Sequence, residues 1–153
     1  MPGTLRRIVA CTACVAVALT AAAACGPTER NLELREQTQH YAFRITVTPT
    51  PPVAELGSVY KIIVQDKETG EPIQAGEGRL FASNIDQTNI YDGLAKGKEV
   101  GTYYARLRFP AAGEWAMGLQ FRRDSLHPLE RSGDWRQGVL TAPPLGSGIR
   151  PPQ

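Results

Sequence analysis

The sequence is poor in the side chains that carry redox, metal and nucleophilic chemistry. Among 153 residues there are three Cys, two His and two Met. The cysteines are Cys11, Cys14 and Cys25, and one methionine is Met1. Copper and zinc sites are closed by several converging thiol, thioether or imidazole groups, so the chain after Cys25 offers little to build one from. It also has no pair of thiols for a disulfide, which leaves packing to hold the domain. A dominant charge is missing too. The formal net charge is +2, and without Arg6 and Arg7 the chain has 15 basic and 15 acidic residues. That balance lacks the electrostatic footprint expected for nucleic acid or anionic lipid. Beyond Ala24, helical spacing of apolar residues is absent over any stretch longer than about ten residues. What is abundant is punctuation, with 15 Gly and 12 Pro, in a chain of the length expected for one domain.

Arg6 and Arg7 precede an uncharged stretch from Ile8 to Ala24 that ends in Ala21, Ala22, Ala23 and Ala24 before Cys25. This order is that of a secretory signal. An uncleaved membrane helix is the competing reading, since Ile8 to Cys25 would span roughly 27 Å at about 1.5 Å per residue. Its many Ala and Thr residues insert weakly, however, and Gly26-Pro27 would stop the helix at once. Small residues directly before a Cys resemble the lipobox of bacterial lipoproteins. That resemblance implies that Ala22, Ala23 and Ala24 form the peptidase site and that Cys25 receives a lipid on its sulfur and becomes the first mature residue. Leu is commoner than Ala at the position of Ala22. Cys11 and Cys14 would leave with the signal, whatever their C-x-x-C spacing means elsewhere.

The expected organisation is a signal peptide over 1–24, a lipidated Cys with a polar tether over 25–39, a β domain over 40–142 and a Pro/Gly-rich tail over 143–153. Within the domain the period is two. Tyr41, Phe43, Ile45 and Val47 alternate with Ala42, Arg44, Thr46 and Thr48. The same alternation runs through Tyr60, Ile62 and Val64, through Tyr103, Ala105, Leu107 and Phe109, and through Trp115, Met117, Leu119 and Phe121. Weaker candidates are Ile73 to Ala82, Glu99 to Val100 and Trp135 to Thr141. This predicts an all-β, immunoglobulin-like antiparallel β-sandwich of about seven strands.

Gly101-Thr102-Tyr103, the turn from Pro110 to Gly113 and the strand opening at Trp115 resemble the last hairpin of the FixH/YtkA-like family. Gly57 to Asp66 followed by Thr69-Gly70-Glu71-Pro72-Ile73 fits the same pattern. The likeness covers Tyr41 to Arg122 and rests on turns and core aromatics. It implies an envelope protein and, as an alternative function, copper handling or a part in assembling respiratory oxidases.

The residues themselves favour a different emphasis. Met117 shares a strand face with Trp115 and Leu119 and is expected in the core, while His40 and His127 have no third ligand beside them. Metal and cofactor are therefore not expected. Asp124, Ser125 and His127 have the residue types of a hydrolase triad but sit together in one loop, and no Gly-x-Ser-x-Gly is present, so catalysis is not expected either. Asn84, Asp86, Asn89 and Asp92 lack the spacing of a calcium loop and are expected to cap turns. If the Tyr103 and Trp115 strands pair as a hairpin, Arg106, Arg108 and Arg122 share one outer face, a candidate surface for an acidic partner. Long excursions over 83–98 and 123–134 are further places for binding. The reading is a lipid-anchored envelope module that binds another protein or acts as an accessory.

Overall fold

Alternating apolar and polar residues form strands because successive side chains leave a pleated backbone on opposite sides, so each such run can bury one face. The computed structural model, which describes residues 32–143, contains ten strands and no helix among them. They are β1 Leu34–Gln37, β2 Tyr41–Thr48, β3 Gly57–Asp66, β4 Glu77–Ser83, β5 Asn89–Gly93, β6 Ala95–Lys96, β7 Thr102–Arg108, β8 Gly113–Arg122, β9 Glu130–Arg131 and β10 Trp135–Val139. The signal segment with Ala22, Ala23 and Ala24, the lipidation candidate Cys25 and the tail beyond Pro143 lie outside the described residues.

Two antiparallel sheets face each other. The first has the order β1-β2-β3-β7-β6 and the second β10-β8-β4-β5, with β9 also paired to β8. From strand to strand the chain therefore changes layer after β3, after β5 and after β7, which makes the two sheets a sandwich of strands distant in sequence. After β2 the chain crosses to the second sheet, where Val53 bridges Leu140 in parallel.

The predicted inward positions are the buried ones on all four clear strands, and every second residue from Tyr41 to Val47 is buried. Their aromatics interlock edge to face: Phe121 lies 5.0 Å from Tyr41 and 5.5 Å from Tyr103, and Phe109 lies 5.3 Å from Trp115. Such pairs add about 0.5–1.5 kcal/mol each beyond area burial. Gly101 has φ +74° and packs where a Cβ would meet Pro72, so it serves the turn into β7 that an L side chain would strain.

Four expectations change. Leu34–Gln37, assigned to the tether, pairs with β2 as an edge strand, so the sheet starts before residue 40. The 83–98 excursion folds into β5 and β6, and the 123–134 one contains β9. Glu99 and Val100 form a turn rather than a strand. Most consequentially, β7 and β8 do not form a hairpin. β7 pairs with β3 and β6, and β8 pairs with β4, β9 and β10.

Candidate partner-binding face

The missing hairpin separates the three arginines expected to act together. Arg106 and Arg108 stand on the outer side of the first sheet, whereas Arg122 belongs to the second. A patch of all three is thereby ruled out, because outward side chains of two stacked sheets point in opposite directions. Arg108 and Arg122 are also engaged, with Glu55 at 2.9 Å and with Glu77. The backbone N–H of Arg106 donates to Asp92 Oδ2 at 2.7 Å, so Asp92 ties β5 of one sheet to β7 of the other rather than capping a turn. Asn84 does cap a turn, its Oδ1 accepting the Thr88 N–H at 2.9 Å.

The remaining candidates lie apart. Met117 is fully buried. His40 is clasped by Glu130, whose two carboxylate oxygens contact its ring Nδ1 and its backbone N–H. His127 contacts Asp124 through Nδ1 at 2.7 Å in an exposed loop, and Ser125 is exposed beside it. Among the described residues no three His, Cys, Asp or Glu side chains gather as ligands. The His127 contact, with N–H groups of the loop, holds the Asp124 carboxyl below its usual range. Glu130 is lowered as well: burial pushes it up, but hydrogen bonds from Thr38 and His40 outweigh that.

A more distinctive surface lies on the outer side of the second sheet. Phe81 on β4 stands opposite Gly118 on β8 and Tyr91 on β5. A Cβ on Gly118 would come within 2.4 Å of the Phe81 ring, so the glycine is what lets the ring lie down across β8. Above the ring sits the Arg131 guanidinium, 4.8 Å from its centroid and held by Asp134 at 2.7 Å. Next along the sheet, Arg79 stands opposite Gln120, donates from Nε to Gln120 Oε1 at 2.7 Å and reaches to 5.9 Å from the Tyr91 centroid. Tyr91 is 70% exposed. These side chains border a shallow groove of about 390 Å³ that continues onto Asn89 and Ile90 of the edge strand. Exposed cation–π contacts are worth about 0.5–1 kcal/mol, too little to explain an aromatic pair left outside the core on stability alone.

The fold has a counterpart among solved structures. A DUF4426 family protein from Pseudomonas aeruginosa PAO1, known from its crystal structure, superposes with a TM-score of 0.53 at 11% identity, over 71% of this chain and 94% of that one. The likeness is one of fold. No protein-family model matches the sequence, and no curated protein does.

The sequence reading missed this face because Phe81 and Tyr91 sit in segments without clean alternation, ten residues apart. The available signal was an aromatic with an Arg two residues ahead of it on β4, Arg79-Leu80-Phe81, in a run otherwise expected to have a polar outer side.

Proposed function

We propose that this chain is a lipid-anchored envelope module, attached through Cys25, that holds a partner protein on the outer face of its second sheet and performs no catalysis. The observation that carries this reading is the Phe81–Tyr91 pair braced by Arg131 and Arg79. Tyr, Phe and Arg are enriched where proteins meet, since rigid aromatic rings and stacked guanidinium groups give contact area at small entropic cost. Arg79 has no carboxylate partner among the described residues and so offers a free charge to an acidic group on the partner. The lipobox-like run before Cys25 supports the anchor. The copper-handling role implied by the FixH/YtkA resemblance has weaker support, because His40, His127 and Met117 are engaged separately.

The test is site-specific photo-crosslinking in living cells. A photoreactive residue at Tyr91 is expected to give a discrete protein adduct that Arg79→Gln reduces, and the same residue at Arg106 on the opposite face gives none. Equal labelling from both positions refutes the assignment. Fatty-acid labelling that is absent from the wild type, or that persists in Cys25→Ser, refutes the anchor.

A further inference from the structure

The strand directions bring one set of turns to a single end of the sandwich. β2 and β7 finish there at Thr48 and Arg108, β3 and β8 start there at Gly57 and Gly113, and β4 and β10 end there at Ser83 and Val139. Main-chain bonds close this end across the two layers, from Ala54 N–H to Leu140 O and from Glu55 N–H to Phe109 O, both at 2.8 Å. Large apolar side chains stand exposed there, beside the exposed Asp86 and Gln87 and the Glu114–Arg136 pair. Ile85 is 94% exposed, Leu140 53% and Leu56 49%, and Pro51, Ala111 and Ala112 are exposed between them. The Glu55–Arg108 pair is self-neutralised. The opposite end exposes Leu126, Val100 and Leu129 as well, but in a denser field of charge that includes Lys67, Glu68, Arg123, Asp124 and His127.

We infer that this apolar end rests on the bilayer that holds the lipid of Cys25, which stands the domain upright with its aromatic face turned sideways to a partner. The inference builds on the anchor reading above. Its second support is where the chain enters: Leu34 pairs with Ile45 and Gln37 with Ala42, so β1 is approached from the Thr48 end, past an exposed Leu32. Six residues separate Leu32 from Cys25, which makes seven Cα–Cα steps. At no more than about 3.5 Å each they reach roughly 25 Å, whereas ten-residue strands such as β3 and β8 are about 33 Å long. Seating the charged end on the membrane would require the tether to run back along the whole domain. Seating the apolar end requires nothing of the kind and removes Ile85, Leu56 and Leu140 from water.

The full chain is produced in a bacterial host, purified with its lipid and placed in phosphatidylcholine–phosphatidylglycerol vesicles that carry a spin-labelled lipid as quencher. In the anchored mature chain Cys25 is the only cysteine and its thiol is blocked, so Ile85→Cys and Leu126→Cys each take one environment-sensitive dye. Quenching at position 85 is expected to exceed that at 126 by at least about threefold and to persist in about 0.5 M salt, as apolar contact requires. Equal quenching, greater quenching at 126, or loss of the difference in salt overturns the inference while leaving the anchor intact. Protein that carries no lipid and fails to join the vesicles overturns the anchor, and the docking built on it falls too.

Discussion

The two ends of the sandwich solve the same problem, reversing the chain between strands, with opposite chemistry. At the end where Asp66 finishes β3, side chains pin the turns. Asp66 Oδ1 accepts the N–H groups of Glu68 and Thr69, Asp124 Oδ1 those of Leu126 and His127, and Glu130 clasps His40, while Arg123 reaches Asp66 at 2.6 Å. At the other end the turns are held by main-chain bonds and by neutral side chains, among them Thr50, Asn84, Asn89 and Trp115. The difference teaches that the charged end depends on the ionisation of its carboxylates, while the turns of the apolar end depend on the main chain and on the core behind it.

The largest effect that would break this contrast is at Trp115. Its ring is buried against Phe109, and its Nε1–H donates to Ala111 O at 3.2 Å, so it anchors the apolar turn to the core. Trp115→Ala is expected to lower unfolding free energy by about 3–5 kcal/mol in urea titrations. A loss below about 1 kcal/mol would mean that the apolar turn does not rely on the core.

Next in size is Gly118→Ala, which lies between the ends and tests the aromatic face. The new methyl would collide with the Phe81 ring, and the expected loss is about 1–3 kcal/mol. If ring displacement relieves the clash, crosslinking from Tyr91 should fall even where stability is retained. No change in either quantity would remove Gly118 from the account.

The charged end is tested by Glu130→Gln. Because the folded carboxyl titrates below its ordinary value, its ionised form is the one that folding favours. Its contribution is therefore present at neutral pH and is lost as pH falls through the lowered folded value. Glu130→Gln should cost about 1–2 kcal/mol at pH 7, in the range for charge-assisted hydrogen bonds, and much less near pH 3. A loss independent of pH would assign Glu130 a packing role instead.

The smallest effects are at the surface. Ile85→Ser should change stability by less than about 0.5 kcal/mol by thermal unfolding, because the side chain is already in water. Arg122→Ala should do little more, since its pairing with Glu77 is solvent-screened. A clear loss at Ile85 would show that the apolar end serves folding rather than an external surface.

Much of the fold was legible because burial on a strand follows parity. Tyr41, Phe43, Ile45 and Val47 could be assigned inward from alternation alone, as could Trp115, Met117, Leu119 and Phe121, and all eight are buried. Parity is silent where strands are short or where one residue in each pair is small. β1 has only Leu34 as an apolar inward residue, followed by Glu36, whose carboxyl burial pushes up. β5 and β6 read as loop because Asp92, Gly93 and Lys96 are turn and surface residues whose strand conformation is supplied by neighbours.

By itself, then, the sequence determined the inward face of each long strand, since side-chain direction is a local property of the extended backbone. Only the tertiary structure decided which strands are neighbours. Phe109 to Ala112 could have closed a hairpin or crossed between layers, and the alternation of Tyr103 to Phe109 and Trp115 to Phe121 is the same in both. Packing Phe109 against Trp115 across the core selects the crossing. That selection separates Arg106 and Arg108 from Arg122, and pairing β4 with β5 and β8 assembles Phe81, Tyr91, Arg79 and Gln120 from distant parts of the chain. Such contacts depend on pairing partners far away in sequence, which a local period does not encode.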